Sequence, residues 1–430
     1  MWRYFSGDFM IYTSSKILVG LSSFVLLRLL THTMVPDQYA LYALTFAIVT
    51  FLTTVMNSFL TNSIIRFLPN ALEGGTQRRF DFAASEIAVL VAILTTGTTA
   101  VILGALVIFG FVQISLPAWA AATIAAGAGS AFQIFCVHIY ANRKRILYSV
   151  LLVAQVALFA VGAATIPLIN ADPVDLALLF LALSFILPLI ALGMPLSLRR
   201  PRFSKATKDL ARKFLQYGAP LIMLNVAVQL NTYLDQFMLR AMTDLHQVGL
   251  YAANYVVADK IIYALASVMA VTVGPLIFRE WERGNAGESY QMIWRSMLLF
   301  VVLSMPAMVA MLWFPEQILA LLIDAQYADG RVIIPYVMSA ALFSGLASMA
   351  AYVHTLLMRT KELALIYISG TGMNFVLNLV FIPRLGLMGC AFSTCISFVL
   401  LFVLIVWRAH YHGGFLGHAK ASAYSLLRRE

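Results

Sequence analysis

Asp37-Gln-Tyr-Ala-Leu-Tyr-Ala43 opens the second long apolar run of the chain, and His246-Gln-Val-Gly-Leu-Tyr-Ala252 opens the eighth; the two share Gln, Leu, Tyr and Ala. A second pair follows in the same order: Val137-His138 and Arg143, at the end of the fourth run, match Val353-His354 and Arg359 at the end of the tenth. Matches at equivalent ordinals point to an internal duplication of six membrane spans. Because six is even, both copies start on the same side of the bilayer, which makes them parallel repeats about an axis along the membrane normal. The basic linker from Arg199 to Lys213 lies where two bundles would join, so the expected halves are 1–205 and 206–430. Two such halves can enclose a central cavity open alternately to each side, a geometry that predicts transport.

Composition agrees. Of 430 residues, 61% are hydrophobic and 11% charged, against about 25% charged in a soluble domain. The apolar runs are long and continuous rather than alternating, which excludes a β-barrel and indicates an all-α polytopic protein. Candidate spans lie near 9–31, 38–65, 83–111, 116–140, 146–170, 175–197, 214–238, 248–277, 291–314, 332–357, 362–382 and 386–407, twelve in all. The first lacks a small-residue cleavage site and reads as a span rather than a signal peptide.

Charge sets the orientation. With both termini cytoplasmic, the inside loops and tails hold 22 of the 29 Lys and Arg residues, among them Arg78, Arg79, the Arg143-Lys144-Arg145 triplet and the Arg199–Lys213 run. Lysine and arginine are retained on the cytoplasmic side, so the inverted topology would break the rule at nearly every loop. The net charge of +10 is thereby explained without nucleic acid. The longest outside segment, from Phe314 to Arg331, leaves no room for a soluble catalytic domain, and a phosphate-cradling Gly-x-x-x-x-Gly-Lys-Ser/Thr loop is absent from the sequence, so neither an enzyme nor direct ATP hydrolysis is expected. Cys136, Cys390 and Cys395 lie in apolar runs and suggest packing, with no metal or other cofactor.

Two segments carry a family resemblance. Val35-Pro-Asp-Gln-Tyr-Ala-Leu-Tyr-Ala43 resembles the outside turn and second-helix start of polysaccharide flippases. Asn374-Phe-Val-Leu-Asn378, Phe381-Ile-Pro383, Gly386, Gly389-Cys-Ala391 and Ser393-Thr394 resemble the last two helices of the same group. The chain thus looks like a Wzx-like polysaccharide transporter of the multidrug/oligosaccharidyl-lipid/polysaccharide exporter superfamily. The resemblance implies two MATE-like six-helix bundles in a bacterial inner membrane. It also implies flipping of undecaprenyl-diphosphate-linked oligosaccharide, driven by an ion or proton gradient, by a monomer working with membrane lipids, a polysaccharide polymerase and glycosyltransferases. The alternative is a gradient-driven exporter of small amphiphilic drugs.

A diphosphate is anionic, so its cavity needs cations in an apolar wall. An ionised residue at a helix centre costs about 2.5–3.5 kcal/mol and normally faces protein or water. Lys16 and Lys260 lie deepest in their spans and lead the candidates; Arg28, Arg66, Arg240 and Arg295 lie nearer span ends, where snorkelling to the head groups competes. Asp259, beside Lys260, is either half of a structural ion pair or a carboxylate for a coupling ion, with Asp235 and Glu86 as further candidates. Asn225, Asn231 and Asn254 are candidates for saccharide hydroxyls, because the resemblance puts the first, second, seventh and eighth helices around the cavity. Asn374 and Asn378, on one helix face, read as packing residues, and His138 and His354 as local hydrogen-bonding groups.

Overall fold

The computed structural model describes residues 2–192, 205–415 and 417; the side chains of 2–17, 205, 206, 220, 221, 224 and 271 lie outside that description. Among the described residues every regular element is helical: α1 (Trp2–Thr33), α2 (Pro36–Glu73), α3 (Gln77–Ile108), α4 (Leu116–Ala141), α5 (Arg145–Thr165), α6 (Pro173–Ala191), α7 (Lys205–Met242), α8 (Leu245–Glu282), α9 (Ala286–Trp313), the short α10 (Pro315–Leu322), α11 (Ile334–Leu356) and α12 (Thr360–Gly413). Single 3-10 stretches follow α5 (Ile166–Leu168) and precede α11 (Ala325–Ile333).

α12 is two helices. Gly386 breaks it at φ 56°, ψ −134°, and the Asn374 amide donates to Thr394 Oγ1 at 3.3 Å. Those residues would stand about 30 Å apart on a straight helix, so α12 reverses direction at Gly386 and crosses the bilayer twice. Only glycine fits the turn: the backbone is left-handed and a Cβ would strike Gln247 Oε1, which accepts from the Leu387 N–H at 3.2 Å. Nine helices, counting α12 once, are long and apolar enough to cross a membrane among the described residues. With α12 divided, and with α1 and α7 over the first and seventh expected spans, the twelve expected crossings are present. α7 is the least apolar of them because Asn225, Gln229, Asn231, Asp235 and Gln236 interrupt it.

Several helices run past their expected spans: 38–65 lies within Pro36–Glu73, and 214–238 within Lys205–Met242. Hydropathy reports where the apolar surface ends, whereas a helix continues until a cap or turn stops it. Ser115 Oγ accepts from Ala118 N at 3.1 Å, Asp172 from Val174 N at 2.8 Å and Asp244 from Gln247 N at 2.8 Å, each satisfying an orphan donor at a helix start. α2 starts differently, with Pro36 in the first turn and the Gln38 side chain accepting from Val35 N.

These boundaries repeat. α1 ends at Thr33 and α7 at Met242, α2 runs Pro36–Glu73 and α8 Leu245–Glu282, and α3 starts at Gln77 and α9 at Ala286. One constant shift of 209 residues, as from 36 to 245, carries each boundary onto its counterpart. It also carries Gly75 (φ 65°) onto Gly284 (φ 81°), the left-handed residues of two equivalent turns.

The chain divides into two compact units, 1–233 and 234–430, and the division falls inside α7. In the first, Leu60, Ile64 and Leu68 of α2, Phe80, Ile87 and Val91 of α3, and Ile134 of α4 form a core with Phe214 of α7. A polar clasp ties α2 to α4: Asn57 Nδ2 donates to Gln133 Oε1 (2.6 Å), and Ser130 Oγ to Asn57 Oδ1 (2.6 Å). Small residues let helices approach, as where a Cβ on Gly162 would fall 2.5 Å from Phe180. The basic turns of this unit gather at one end, where Gln77 bonds Asn142 at 3.3 Å and His138 meets Asp81 at 3.4 Å.

In the second unit α11 packs on α8, α9 and both arms of α12. At its basic end Phe415 is wholly buried and stacked 4.8 Å from Trp294, whose Nε1–H donates to the Phe415 carbonyl. Glu362 there accepts from Arg408 and from Arg359, and His412 Nε2 lies 3.1 Å from it.

Candidate functional site

The most polar buried place in the second unit surrounds Asp235, 2% exposed on α7. α8 brings Tyr251, whose hydroxyl donates to Asp235 Oδ2 at 2.9 Å. The first arm of α12 brings Asn378, whose Nδ2 donates to Asp235 Oδ1 at 2.8 Å and to Asn374 Oδ1 at 3.1 Å. The second arm brings Thr394, whose hydroxyl touches Asp235 Oδ2, and Cys390, whose Sγ lies 3.7 Å from the Asp235 carbonyl oxygen.

The proton count in this cluster is informative. Thr394 has one hydroxyl proton and two acceptors in reach, Asp235 Oδ2 and its own i−4 carbonyl at Cys390, 3.0 Å away. A helical threonine readily donates to that carbonyl. Thr394 can therefore send its one proton to the Asp235 carboxylate or to the Cys390 carbonyl. Asn378 Oδ1 is also buried with no hydrogen-bond partner, although buried polar atoms are normally satisfied. Carboxylate, hydroxyl and amide oxygens together form a hard-oxygen set suited to a proton or a small cation and poor for soft metals.

A second polar place lies on α8. Asp259 and Lys260 are both partly exposed, and among the described residues neither makes a hydrogen bond or an ion pair. Adjacent helical residues diverge by about 100°, so the two charges look in different directions along a face that also carries the exposed Tyr263.

The remaining expected residues are scattered. Lys16 lies in α1, but its side chain is outside the described residues. Arg28 and Arg240 are partly exposed, each with partners of its own, and Arg66 is exposed near the basic end of α2. Arg295 is exposed and engaged, with Glu288 at 3.4 Å and Gln291 at 3.0 Å. Glu86 is 3% exposed and accepts from Thr207 across α3 and α7, leaving its Oε1 without a partner. Asn225 and Asn231 are partly exposed on α7. Asn254 is fully buried; its amide donates to Leu250 O and Tyr327 O, both at 2.9 Å, because the Ala325–Ile333 stretch folds over it. His354 is buried and contacts the Ile405 carbonyl at 3.2 Å.

Of these residues only Asp235 gathers a cluster, and its partners include two that sequence reading had assigned to packing, Asn374 and Asn378. Tyr251, Cys390 and Thr394 were not singled out as functional. Tyr251 stands in the repeated segment, and Cys390 and Thr394 in the Gly-x-x-Gly-x-Ala stretch, so the signal was present as pattern without a role.

Comparison with known proteins adds three findings. A family model described as "Polysaccharide biosynthesis protein" matches residues 7–281. An uncharacterized membrane protein of Methanocaldococcus jannaschii is 21% identical over 211 residues, which are 48% of this chain and 42% of that relative; the match thus spans less than half of it. Among solved structures, an inward-facing multidrug resistance MATE family transporter of the MOP superfamily superposes with TM-score 0.74 at 11% identity, covering 94% of this chain and 96% of its own. The lipid II flippase MurJ, in an inward closed conformation, gives 0.67 at 15% identity, covering 97% and 91%. At these identities the structures speak for the fold.

Proposed function

The chain belongs to the polysaccharide biosynthesis protein family, and from that premise we propose that it moves a diphosphate-linked oligosaccharide lipid between leaflets by alternating access. Lys260 carries this reading: a cation partly exposed on an apolar helix, with Asp259 beside it and no ion pair or hydrogen bond among the described residues, is fitted to receive an anionic head group. Lys16, Arg28 and Arg240 add positive charge, Arg66 takes the head-group role left open for it, and Asn225 and Asn231 offer amides to saccharide hydroxyls. The lipid tail stays in the bilayer while the halves, 1–205 and 206–430, rock about the site. The Asp235 cluster takes up the coupling proton or cation, and Asp259 is a second carboxylate for that role. Both termini face the cytoplasm, the membrane is a bacterial inner membrane, and the polymerase and glycosyltransferases that make and use the lipid are the expected partners of a monomer.

The test is leaflet transfer of a fluorescent polyprenyl-diphosphate oligosaccharide in reconstituted vesicles. Lys260→Ala should slow transfer by roughly tenfold, the effect of losing about 1.4 kcal/mol of attraction, and Lys260→Arg should restore it, with insertion unchanged in both. Full activity in Lys260→Ala rejects the role. Transport of cationic dyes but not of the lipid would favour a drug exporter.

A further inference from the structure

Among the described residues, the start of α7 presents one face to the protein and leaves the other uncovered. Thr207 and Phe214 are buried, Leu210 and Ala211 pack on the same core, and a Cβ on Gly218 would come 2.6 Å from Phe59 Cα. The helix is therefore seated closely on α2, and its rotation is set. Lys208, Arg212 and Lys213 consequently point outward, together with Leu215 and Tyr217.

Among the described residues none of these three cations, nor the exposed Arg66 of α2, makes an ion pair or hydrogen bond with the protein. Lys213 instead rests its Nζ 4.4 Å above the ring of Phe67. Phe67 stacks on Phe214 at 6.0 Å and meets Tyr217 edge-on at 5.4 Å. Four cations thus stand by an aromatic floor; of the nearby carboxylates Asp209 is exposed and Glu86 is buried against Thr207.

This combination matches the boundary between phosphate head groups and acyl chains. Leucine and aromatic side chains enter the interface there, while long basic side chains reach the phosphates. A soluble acidic partner would use the charges and leave Leu215 and Tyr217 unexplained. The site lies at the basic end of the first unit, which the proposal above assigns to the cytoplasm. We infer that the start of α7, with Arg66, is a docking site for the anionic phospholipid head groups of the bilayer itself, separate from any transported lipid.

The experiment places the full chain in nanodiscs of phosphatidylcholine and phosphatidylglycerol, with no oligosaccharide lipid present, and reads the retained lipid by native mass spectrometry. Phosphatidylglycerol should be enriched on the parent protein, and the combined Lys208→Gln, Arg212→Gln and Lys213→Gln variant should lose that enrichment by on the order of tenfold. Arg279→Gln with Arg283→Gln removes two exposed arginines that pair with Glu280 in the other unit and should leave it intact. Unchanged enrichment in the triple variant overturns the site. Equal loss in both variants overturns it too, since the attraction would then belong to overall charge.

Discussion

Tyr42 and Tyr251 occupy the same position in the two repeats, and both are buried, yet they keep different company. Tyr251 bonds the Asp235 carboxylate, whereas Tyr42 sits between aromatic neighbours, with Tyr39 and Phe46 each 5.9 Å away. The 209-residue shift that carries Tyr42 onto Tyr251 carries Leu26 onto Asp235. The helix boundaries and the left-handed turn glycines are shared between the copies, but the buried carboxylate belongs to one. Caps, turns and apolar length specify the fold twice over, while a few side chains on that common frame give only one copy a carboxylate at this position.

The contrast can be broken in order of expected effect. Asp235→Asn should abolish the response of leaflet transfer to an imposed proton or sodium gradient, a loss of at least about a hundredfold, or roughly 2.7 kcal/mol, while downhill exchange survives. A retained response would mean that coupling resides elsewhere. The mirror change, Leu26→Asp, puts a carboxylate at a partly buried position inside a span and should destabilise the first unit by about 3 kcal/mol, seen as a lower melting temperature in detergent, without adding a second coupled ion.

Glycines sharpen the comparison further. Gly386 and Gly110 are both left-handed, at φ 56° and 71°, but a Cβ is free of neighbours at Gly110 and collides with Gln247 at Gly386. Gly386→Ala should therefore cost more than the about 1–2 kcal/mol of backbone strain expected for Gly110→Ala; equal losses would show that the Gln247 contact yields freely. Smallest is the tyrosine pair. Tyr251→Phe removes one hydrogen bond to a charged acceptor and should raise the half-saturating ion concentration by roughly tenfold, whereas Tyr42→Phe should leave it unchanged.

Much of the fold was legible because each span must supply its own long apolar run, a local property. The two arms of α12 were separable for the same reason, since polar and turn-forming residues cluster around Pro383, Arg384 and Gly386. The Asp235 cluster was not legible: Asn378 lies 143 residues and Thr394 159 residues from Asp235 in the chain, and no local pattern announces a meeting at that distance. Asn374 and Asn378 looked like packing amides because an i to i+4 pair on one helix face does serve packing; what they pack around is a carboxylate. Glu86 presented the converse case. Its charge is visible in the sequence, but Thr207, the partner that shields half of it, follows the 193–204 linker.

The separations around Asp235 also bear on how the protein enters the membrane as it is synthesised. A bare aspartate released into hydrocarbon would tend to stall or slip its helix, and the amide and hydroxyl that finally surround it are not yet made when α7 reaches the insertion machinery. Tyr251 follows only 16 residues later. The seventh and eighth helices would then leave the translocon as a pair already joined by that phenol, which acts as the carboxylate's escort until the last hairpin arrives.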